Sequence, residues 1–473
     1  MFDFQILNKW ASNKANEPAF IDEENVLNFA QLNSLTRKIA TLLDNAGIGQ
    51  RDLVCVALPT YLEWCTILAL HLLGATSMSK SGTSGFNREV MPDWIISLQP
   101  DFEIPSNRTI IFDDNYLALA KASQEMLVTP GYSNPTDIAR LFSTSGTSGA
   151  TKYMAATAEE LEELATSPNA LELSGGEHPV LLLFPFNTKQ SYRNALKCLT
   201  LGIPIYSCGF RDYRLTKVMH KRSIRTLMGS PAQIASFLDV LTQTGTVLPL
   251  LKTVITSGTA PSEKLFKRIN EQLNCTIFNA YGSTEAGNVT IMKVDEDAPS
   301  GAIINASVNL QIVDDNDVEV LPNTVGRIRY SKPGMGHSYY KNASASAEFF
   351  KDGFFYPGDL GFKDRDGKLF LEGRSNDLIN LGGVKLNPEL IDRIAMAQLG
   401  VLDCASFAVK SESGIDQLAI ALVTDGEFDL EYFGAAMRKK SPAMPTVFVA
   451  RKSIPRNENG KIMRQTLRDE YGG

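Results

Sequence analysis

Short apolar runs alternate with helical patterns through the first 300 residues of this 473-residue chain. LVCVAL (53–58), VLLLF (180–184) and TVITS (253–257) are runs of this kind. Continuous runs rich in Val, Ile and Leu between helices are typical of parallel strands covered on both faces. The pattern predicts an α/β fold.

The pattern changes twice in the last third of the chain. From about residue 308, short alternating strands with Gly- and Asp-rich turns, as in GFKDRDGKLFLEG, indicate an antiparallel or barrel-like subdomain. Beyond residue 375 a small α+β unit is predicted. Its elements are helix 388–398, strands 402–409 and 417–424, helix 428–440 and strand 446–450. The polar, Gly-rich junction GRSNDLINLGG between the two parts indicates a hinge.

Charge and composition exclude several classes of protein. The net charge of −7 comes from 46 Lys and Arg against 53 Asp and Glu, so a nucleic-acid coat is disfavoured, while a basic pocket for one nucleotide stays open. The longest uncharged stretch, 64–79, is shorter than the ~20 residues that cross a bilayer, and no signal peptide is visible. Six scattered cysteines without a C-x-x-C pair predict buried free thiols. We therefore predict a cytoplasmic protein that binds neither membranes nor nucleic acid.

A Ser-, Thr- and Gly-rich segment, LFSTSGTSGATKY (141–153), follows an apolar strand. Its glycines allow close backbone approach, consecutive N–H groups can form an anion-binding nest, and hydroxyls and an ammonium suit a polyphosphate. It is not a P-loop, because only two residues separate its second glycine from the lysine. A flexible linker is the alternative, although a linker rarely follows a buried strand so abruptly. The predicted phosphate-binding residues are Thr144, Ser145, Gly146, Thr147, Ser148, Gly149 and Lys152.

A second segment, NAYGSTEAG (279–287), offers a different set of groups. The ring of Tyr281 can stack on a base, and Gly282 permits a turn. The hydroxyl of Thr284 can reach a phosphate, and the carboxylate of Glu285 can bind Mg²⁺ through oxygen. A plain loop is the alternative reading of this segment.

Three further segments carry isolated charges or glycines. Asp359 in FFYPGDLG could accept both hydroxyls of a ribose, or it could be an ordinary turn residue. Arg374 could pair with phosphate or ribose oxygens, and Gly382–Gly383 would let a ligand pass against bare backbone. Lys461 follows a turn near the C-terminus and, in isolation, would be read as a solvated charge.

These five segments, in this order, resemble the ANL superfamily of adenylate-forming enzymes, which holds acyl-CoA synthetases, peptide-synthetase adenylation domains and luciferases. The resemblance implies a large N-terminal domain (1–375) of α/β subdomains plus a β-barrel-like subdomain. A small mobile α+β C-terminal domain (376–473) would follow, with Asn376 at the hinge and ATP bound between the two.

The resemblance also assigns roles to residues. It places Thr144 to Lys152 on the β- and γ-phosphates, Tyr281 against adenine, Thr284 on the α-phosphate and Glu285 on Mg²⁺. Asp359 and Arg374 fall at the ribose and hinge-motif positions. Lys461 matches the catalytic lysine that reaches both the carboxylate and the α-phosphate. The remaining residues of the expected adenine site are Ser257, Gly258, Thr259, Ala280 and Gly282.

The implied reaction has two halves. A carboxylic acid attacks the α-phosphorus of ATP, pyrophosphate leaves, and the acyl-adenylate then acylates a thiol in a tunnel lined by Gly382–Gly383. Thr151, Tyr153, Pro357, Asn376 and Asn459 depart from the family pattern. None of these departures removes a charged catalytic group, so an active enzyme is expected.

The substrate is predicted from LLFPFNTKQSY (182–192), which matches the family's acyl-pocket region. Amino-acid-activating members have an aspartate there to pair with the ammonium, and this chain has Phe186–Asn187. A buried ammonium would be left unpaired, which disfavours a free α-amino acid. An asparagine at this position resembles the pattern of aryl-acid ligases, so an aryl or medium-sized acyl acid is predicted. The alternative is that the Asn187 side chain only forms hydrogen bonds with backbone groups.

Two choices stay open at this level. The acceptor thiol is expected to belong to coenzyme A, or to the phosphopantetheine of a carrier protein acting in trans, since no carrier segment is fused to this sequence. The alternative to an enzyme is a regulatory nucleotide-binding protein without turnover. The charged residues retained at the catalytic positions disfavour it; they are Glu285, Asp359, Arg374 and Lys461.

Overall fold

The computed structural model describes residues 5–22, 25–80, 89–100, 106–144, 151–166, 178–207, 224–258, 261–294, 301–381, 384–410, 416–456 and 462–471. These residues form two largely parallel sheets, one antiparallel sheet and a small C-terminal α+β unit. The α/β fold class is confirmed, and so is the change to antiparallel pairing after residue 300.

The larger parallel sheet has eight strands. They are β1 (Pro18–Asp22), β2 (Asn25–Asn28), β9 (Val180–Leu182), β10 (Ile205–Ser207), β11 (Thr226–Gly229), β12 (Thr253–Ser257), β13 (Thr276–Ser283) and β14 (Gly287–Lys293). Their order is β14-β13-β12-β11-β9-β10-β1-β2. The pairs at the two edges are antiparallel and the pairs between them are parallel.

The smaller parallel sheet has six strands. They are β3 (Leu53–Ala57), β4 (Thr76–Ser79), β5 (Trp94–Ser97), β6 (Thr109–Ile111), β7 (Ile138–Thr144) and β8 (Lys152–Thr157). The order is β6-β5-β3-β4-β7-β8, and β8 at the edge runs antiparallel to β7. The Ser-, Thr- and Gly-rich segment therefore joins two paired strands at one edge.

Eight helices accompany these sheets in the described part. They are α1 (Gln5–Asn13), α2 (Phe29–Asn45), α3 (Thr60–Leu73), α4 (Asp114–Ala122), α5 (Ala158–Thr166), α6 (Lys189–Leu201), α7 (Pro231–Thr244) and α8 (Glu263–Leu273). Helix α3 contacts strands of both sheets and is buried around its circumference, which explains its apolar sequence. It ends at Gly74, whose φ is +73° and where a Cβ would lie 2.0 Å from the Gly131 oxygen. No helix among the described residues is long and apolar enough to cross a membrane.

An antiparallel sheet follows. Its elements are β15 (Asn309–Val313), β16 (Gly326–Ser331), α9 (Ala343–Phe349), β17 (Phe350–Lys351), β18 (Phe354–Phe355), β19 (Asp359–Lys363) and β20 (Leu369–Arg374). The strand order is β17-β18-β16-β19-β20, with β15 also paired to β16. Tyr330 of β16 is fully buried in its core.

The C-terminal unit begins after a short 3-10 turn, Ser375–Asp377, which contains Asn376. Its elements are β21 (Ile379–Leu381), β22 (Val384–Leu386), α10 (Pro388–Met396), β23 (Val401–Lys410), β24 (Asp416–Thr424), α11 (Leu430–Lys440), β25 (Val447–Ala450) and α12 (Arg464–Tyr471). Each of the five predicted elements appears within two residues of its predicted ends.

Two polar contacts organise the C-terminal unit. Arg464 of α12 donates to the Asp392 carboxylate of α10 at 2.6 Å, and both side chains are buried. Asn387 caps α10 by accepting from the Glu389 N–H at 2.8 Å, and its side-chain amide donates to the Glu372 carbonyl in β20. Asn387 thus connects the C-terminal unit to the last strand of the preceding sheet.

The cysteines of the described residues are free thiols. Cys55, Cys65, Cys198 and Cys404 are buried, and Cys275 is half-buried. Cys208 lies outside the described residues.

Candidate active site

A cavity of about 280 Å³ opens where strands of both parallel sheets end. Ser257 ends β12, Ser283 ends β13 and Thr144 ends β7, and all three line it. Ligand sites of parallel α/β sheets lie at the carboxyl ends of their strands. The fold therefore places this cavity where a ligand is expected.

The cavity brings together residues that are far apart in the sequence. Of the predicted site residues, those that line it are Thr144, Lys152, Ser257, Gly258, Gly282, Thr284, Glu285, Asp359 and Arg374. Tyr281 joins them through Asp359, and Ala280 is buried in the core beside it. The predicted residues 145–149, Thr259, Gly382–Gly383 and Lys461 lie outside the described residues.

Asp359 is the centre of a polar cluster at one end of the cavity. Its Oδ2 accepts a 2.7 Å hydrogen bond from the Tyr281 hydroxyl, and its Oδ1 lies 3.2 Å from Arg374 Nε. Burial raises the pKa of Tyr281, and the Asp359 charge raises it further, so the phenol stays protonated and donates. Burial alone would lower the pKa of Arg374, but acidic neighbours led by Asp359 outweigh it and the pKa is raised. These two contacts fix the carboxylate in position.

Glu285 and Lys152 form a second polar cluster. The Tyr339 hydroxyl donates to Glu285 Oε1 at 2.6 Å, and the carboxylate is almost fully buried. Lys152 Nζ lies 3.9 Å from the centre of the Phe349 ring. Burial lowers the pKa of Lys152, although Glu348 and Glu285 act in the opposite direction. A buried carboxylate oxygen facing a cavity is a donor that Mg²⁺ prefers, so this cluster fits a magnesium ion held between Glu285 and an anionic ligand.

Gly282 fixes the geometry of this loop. The register of β13 and β14 shifts between Tyr281 and Gly282. A Cβ at Gly282 would lie 2.1 Å from the Gly287 oxygen, so no other residue fits without moving the backbone. The close approach holds Thr284 and Glu285 toward the cavity.

The structure places the predicted acyl-pocket pair beside the cavity rather than on its wall. The Phe186 ring is buried 5.2 Å from the Trp64 ring, and Asn187 is also buried. Their neighbours Phe184 and Thr188 do line the cavity. The acyl-pocket role of Phe186 and Asn187 stays a prediction.

A buried arginine holds this segment. Arg140 Nη2 donates to the Phe186 carbonyl at 2.8 Å and to Ser79 Oγ at 2.7 Å, and its Nη1 donates to Ser77 Oγ at 3.0 Å. Ser79 in turn donates to the carboxylate of Glu63. The guanidinium therefore connects β4, β7 and the segment before α6.

The Glu63 carboxyl of this network should make the free energy of unfolding depend on pH. Burial raises the pKa of Glu63 to about 7, with the Ser79 hydrogen bond and the Arg140 charge acting against the rise. A raised pKa favours the folded state at low pH, and this contribution is lost as pH rises through 7. Glu63→Gln should remove it. The free energy of unfolding of the wild type minus that of the variant should fall by about 2 kcal/mol from pH 5 to pH 8.

Urea unfolding followed by tryptophan fluorescence measures this difference, because all three tryptophans (Trp10, Trp64 and Trp94) lie in the N-terminal part of the chain. His71 titrates too, since burial lowers its pKa to about 3, but it is common to both proteins and cancels. A difference that does not change with pH would contradict the assignment.

Three cations on the cavity wall, Lys189, Arg193 and Lys332, were not predicted as site residues. Tyr339 was missed as well. For Lys189 and Arg193 a signal existed, since two basic residues four apart lie in the first turns of the helix that follows a buried strand. Lys332 and Tyr339 lie in a loop without a motif.

Comparison with known proteins gives a consistent result. The family model described as AMP-binding enzyme matches residues 94–340, just over half of the chain. A 2-succinylbenzoate–CoA ligase from Listeria innocua is 24% identical over 470 residues, which cover 96% of this chain and 97% of that protein. A fatty acid–[acyl-carrier-protein] ligase from Streptomyces coeruleorubidus is 27% identical over 235 residues, which cover 47% of this chain and 45% of that protein.

A solved structure shares the whole fold. The O-succinylbenzoate coenzyme A synthetase from Bacillus subtilis, in complex with AMP, has a TM-score of 0.81 at 19% identity, and 99% of each chain is covered. At this identity the likeness concerns the fold.

Proposed function

This chain belongs to the AMP-binding enzyme family, and we propose that it is an AMP-forming acid–thiol ligase that joins a carboxylic acid to coenzyme A through an acyl-adenylate. The observation that carries the proposal is the cavity in which Asp359, Glu285 and Lys152 meet. Asp359 supplies a fixed carboxylate that can bind the ribose, Glu285 an oxygen ligand for a cation, and Lys152 an ammonium group for a phosphate.

In the first half-reaction, Asp359 accepts hydrogen bonds from the ribose hydroxyls of ATP, and Thr284 and Lys152 donate to its phosphates. A carboxylate oxygen of the acid attacks the α-phosphorus, the bond from that phosphorus to the bridging oxygen breaks, and pyrophosphate leaves. Glu285 would hold Mg²⁺, which supplies positive charge against the triphosphate. Lys461 would neutralise the charge of the attacking carboxylate and the α-phosphate.

In the second half-reaction, the thiol loses its proton and its sulfur attacks the acyl carbon. The bond from that carbon to the phosphate oxygen breaks, AMP leaves and a thioester forms. The two halves need different groups near the adenylate. We assign residues 1–375 to the nucleotide-binding domain and 376–473 to a domain that turns about Asn376, which would bring Gly382–Gly383 beside the thiol. Free cysteine thiols suit a reducing compartment such as the cytoplasm.

The experiment measures ATP–pyrophosphate exchange across a panel of carboxylic acids, and thioester formation with coenzyme A by mass spectrometry. We expect exchange with aryl or medium-sized acyl acids. Exchange with α-amino acids alone would overturn the predicted substrate class. Absence of exchange with every acid would overturn the function.

A carrier protein is the alternative acceptor, supported by the partial likeness to a carrier-protein ligase. Exchange without thioester formation on coenzyme A, together with acylation of a phosphopantetheine-bearing carrier, would favour it.

Asp359→Ala should raise the KM for ATP by about 10- to 100-fold, because hydrogen bonds to a charged acceptor are lost. The KM for the acid should change little. Asp239, an exposed carboxylate paired with Arg268, provides the matched control, and Asp239→Ala should leave both values unchanged. An unchanged KM for ATP in Asp359→Ala would contradict the ribose assignment.

A further inference from the structure

Lys189, the first residue of α6, lines the cavity and has no role in the steps above. Within the part of the chain that the structure describes, its side chain forms neither an ion pair nor a hydrogen bond. Other lysines of this region have partners. Lys197 of the same helix donates to the Thr166 carbonyl at 3.0 Å, and Lys332 donates to the Asn288 carbonyl at 3.4 Å. The Lys189 ammonium is therefore available to a ligand in the cavity.

The carboxylates that attract Lys189 most strongly are each bound to another donor. Glu160 has the largest attraction and Glu285 the second largest. Oε2 of Glu160 accepts a hydrogen bond from the Thr157 N–H at 2.8 Å, at the start of α5. Oε1 of Glu285 accepts from the Tyr339 hydroxyl at 2.6 Å. Both carboxylates thus act on the ammonium without pairing with it.

The charge of Glu285 relates Lys189 to the phosphate groups of the nucleotide. Glu285 acts on Lys189 of α6 and also on Lys152 of β8, the lysine assigned to the phosphates. Thr284, the neighbour of Glu285, lines the same cavity. The carboxylate that fits Mg²⁺ therefore has an ammonium near it from each of two elements, and only one of these has been given a role.

Hydrogen bonds fix the backbone from which the Lys189 side chain extends. Thr188 caps α6 by accepting from the Ser191 N–H at 3.3 Å. One turn further along, the Tyr192 hydroxyl forms a 2.6 Å hydrogen bond with the buried His71 ring of α3. A group that stabilises charge in a transition state is effective when the scaffold already holds it in place.

The electrostatics of Lys189 are consistent with an anionic ligand. Burial lowers the pKa of Lys189, and Glu160 and Glu285 offset only part of this decrease. The half-buried ammonium has lost part of its hydration without gaining an acceptor among the described residues. Phosphate oxygens would supply charge-assisted hydrogen bonds to it.

We propose that Lys189 is a further catalytic residue, whose ammonium binds the β- and γ-phosphates of ATP together with Lys152. When a carboxylate oxygen of the acid bonds to the α-phosphorus, the bond from that phosphorus to the bridging oxygen breaks, and its electron pair passes to pyrophosphate. Lys189 stabilises this leaving group by donating hydrogen bonds to its oxygens, and it keeps its own proton. The inference rests on the proposed function and adds one group to its first half-reaction.

Calorimetric titration of the full chain with ATP, AMP and pyrophosphate, with magnesium and without an acid, tests binding separately from turnover. Lys189→Met should raise the Kd for ATP and for pyrophosphate by about 10- to 100-fold, because charge-assisted hydrogen bonds are lost. The Kd for AMP, which lacks the β- and γ-phosphates, should stay within about twofold. Acyl-adenylate formation should slow, whereas thioester formation from a preformed acyl-adenylate should keep the wild-type rate.

Two control variants accompany Lys189→Met. Lys189→Arg keeps the charge and should retain most of the affinity for ATP and pyrophosphate. Lys267 is an exposed lysine of α8 that pairs with Glu263, and Lys267→Met should behave as the wild type. Circular dichroism of each variant verifies that it is folded.

Three results would overturn the inference. An unchanged Kd for ATP and pyrophosphate in Lys189→Met would show a solvated cation, or, with a raised KM for the acid, a contact to the acid. Equal weakening of ATP and AMP would show a structural effect on the whole site. Absence of ATP binding by the wild type would remove both the inference and the proposed function. If ATP binds and no acid supports exchange, the proposed function fails, and the selective loss of ATP and pyrophosphate binding still decides the role of Lys189.

Discussion

Lys461→Ala should lower the rate of acyl-adenylate formation by about two to three orders of magnitude, because the attacking carboxylate and the α-phosphate repel each other without a cation between them. The Kd for ATP should change by less than about threefold, since ribose and magnesium contacts remain. Thioester formation from a preformed acyl-adenylate should also be retained. Exchange kinetics, calorimetry and a single-turnover assay measure the three quantities.

Described residues on both sides of Lys461 are held by specific contacts. Arg456 and Ile462, on either side of it, pair in a β-bridge, and Arg456 donates to Asp403 at 2.8 Å. Lys452 is an exposed lysine in the same stretch, and Lys452→Ala should leave adenylation unchanged. Adenylation at the wild-type rate in Lys461→Ala would refute the assigned role.

Arg140→Met should lower the free energy of unfolding of the N-terminal part by about 3 kcal/mol. The substitution leaves buried hydroxyls and the Phe186 carbonyl without their donor, and removes the charge that faces Glu63. The kcat/KM for the acid should fall more than that for ATP, because the guanidinium holds the segment that we predict to line the acyl pocket. Urea unfolding by tryptophan fluorescence measures the stability, and Trp64 lies beside Phe186.

Arg51 offers the matched control for this variant. It forms an exposed ion pair with Asp137 at 3.2 Å, and Arg51→Met should cost no more than about 1 kcal/mol. Adding Glu63→Gln to Arg140→Met should recover part of the loss, because a buried carboxylate without its counter-charge is then removed. A loss below about 1 kcal/mol in Arg140→Met would show that the network does not hold this region together.

The elements that the sequence predicted correctly are those with local signals. Four of the five residues of strand 253–257 are β-branched, and the helix after it begins at a Ser262 cap. Such patterns act over a few residues and need no knowledge of the tertiary fold.

Strand β4 shows why other elements could not be predicted. Its sequence TSMS is polar, yet all four residues are buried. The reason is tertiary, because Ser77 and Ser79 accept hydrogen bonds from Arg140, which is more than 60 residues away. A residue pair so distant leaves no periodicity in the sequence.

The candidate site divides in the same way. Tyr281 and Asp359 are 78 residues apart and form a hydrogen bond, and both were expected because each lies in a recognisable motif. Tyr339 binds Glu285 across 54 residues from a loop without such a motif. Motif residues were predicted, and the side chains that position them were not.

The hydrogen bond between Asn387 and Glu372 favours the observed orientation of the C-terminal unit, but only by a small free energy. One hydrogen bond contributes about 1 kcal/mol net, a bias of about fivefold in an equilibrium constant. Rotation of the unit would leave Asn387 its capping role. It would exchange this bond, and the 3.4 Å hydrogen bond from Lys264 Nζ to the Val401 carbonyl, for hydrogen bonds to water. Gly373 allows the two segments to touch. Its φ is +109°, and a Cβ at this position would lie only 2.5 Å from the Asn387 side-chain amide. These hydrogen bonds are weak enough to open if the C-terminal unit rotates as we propose, and a methyl group at position 373 would collide with Asn387 and disfavour the observed contact.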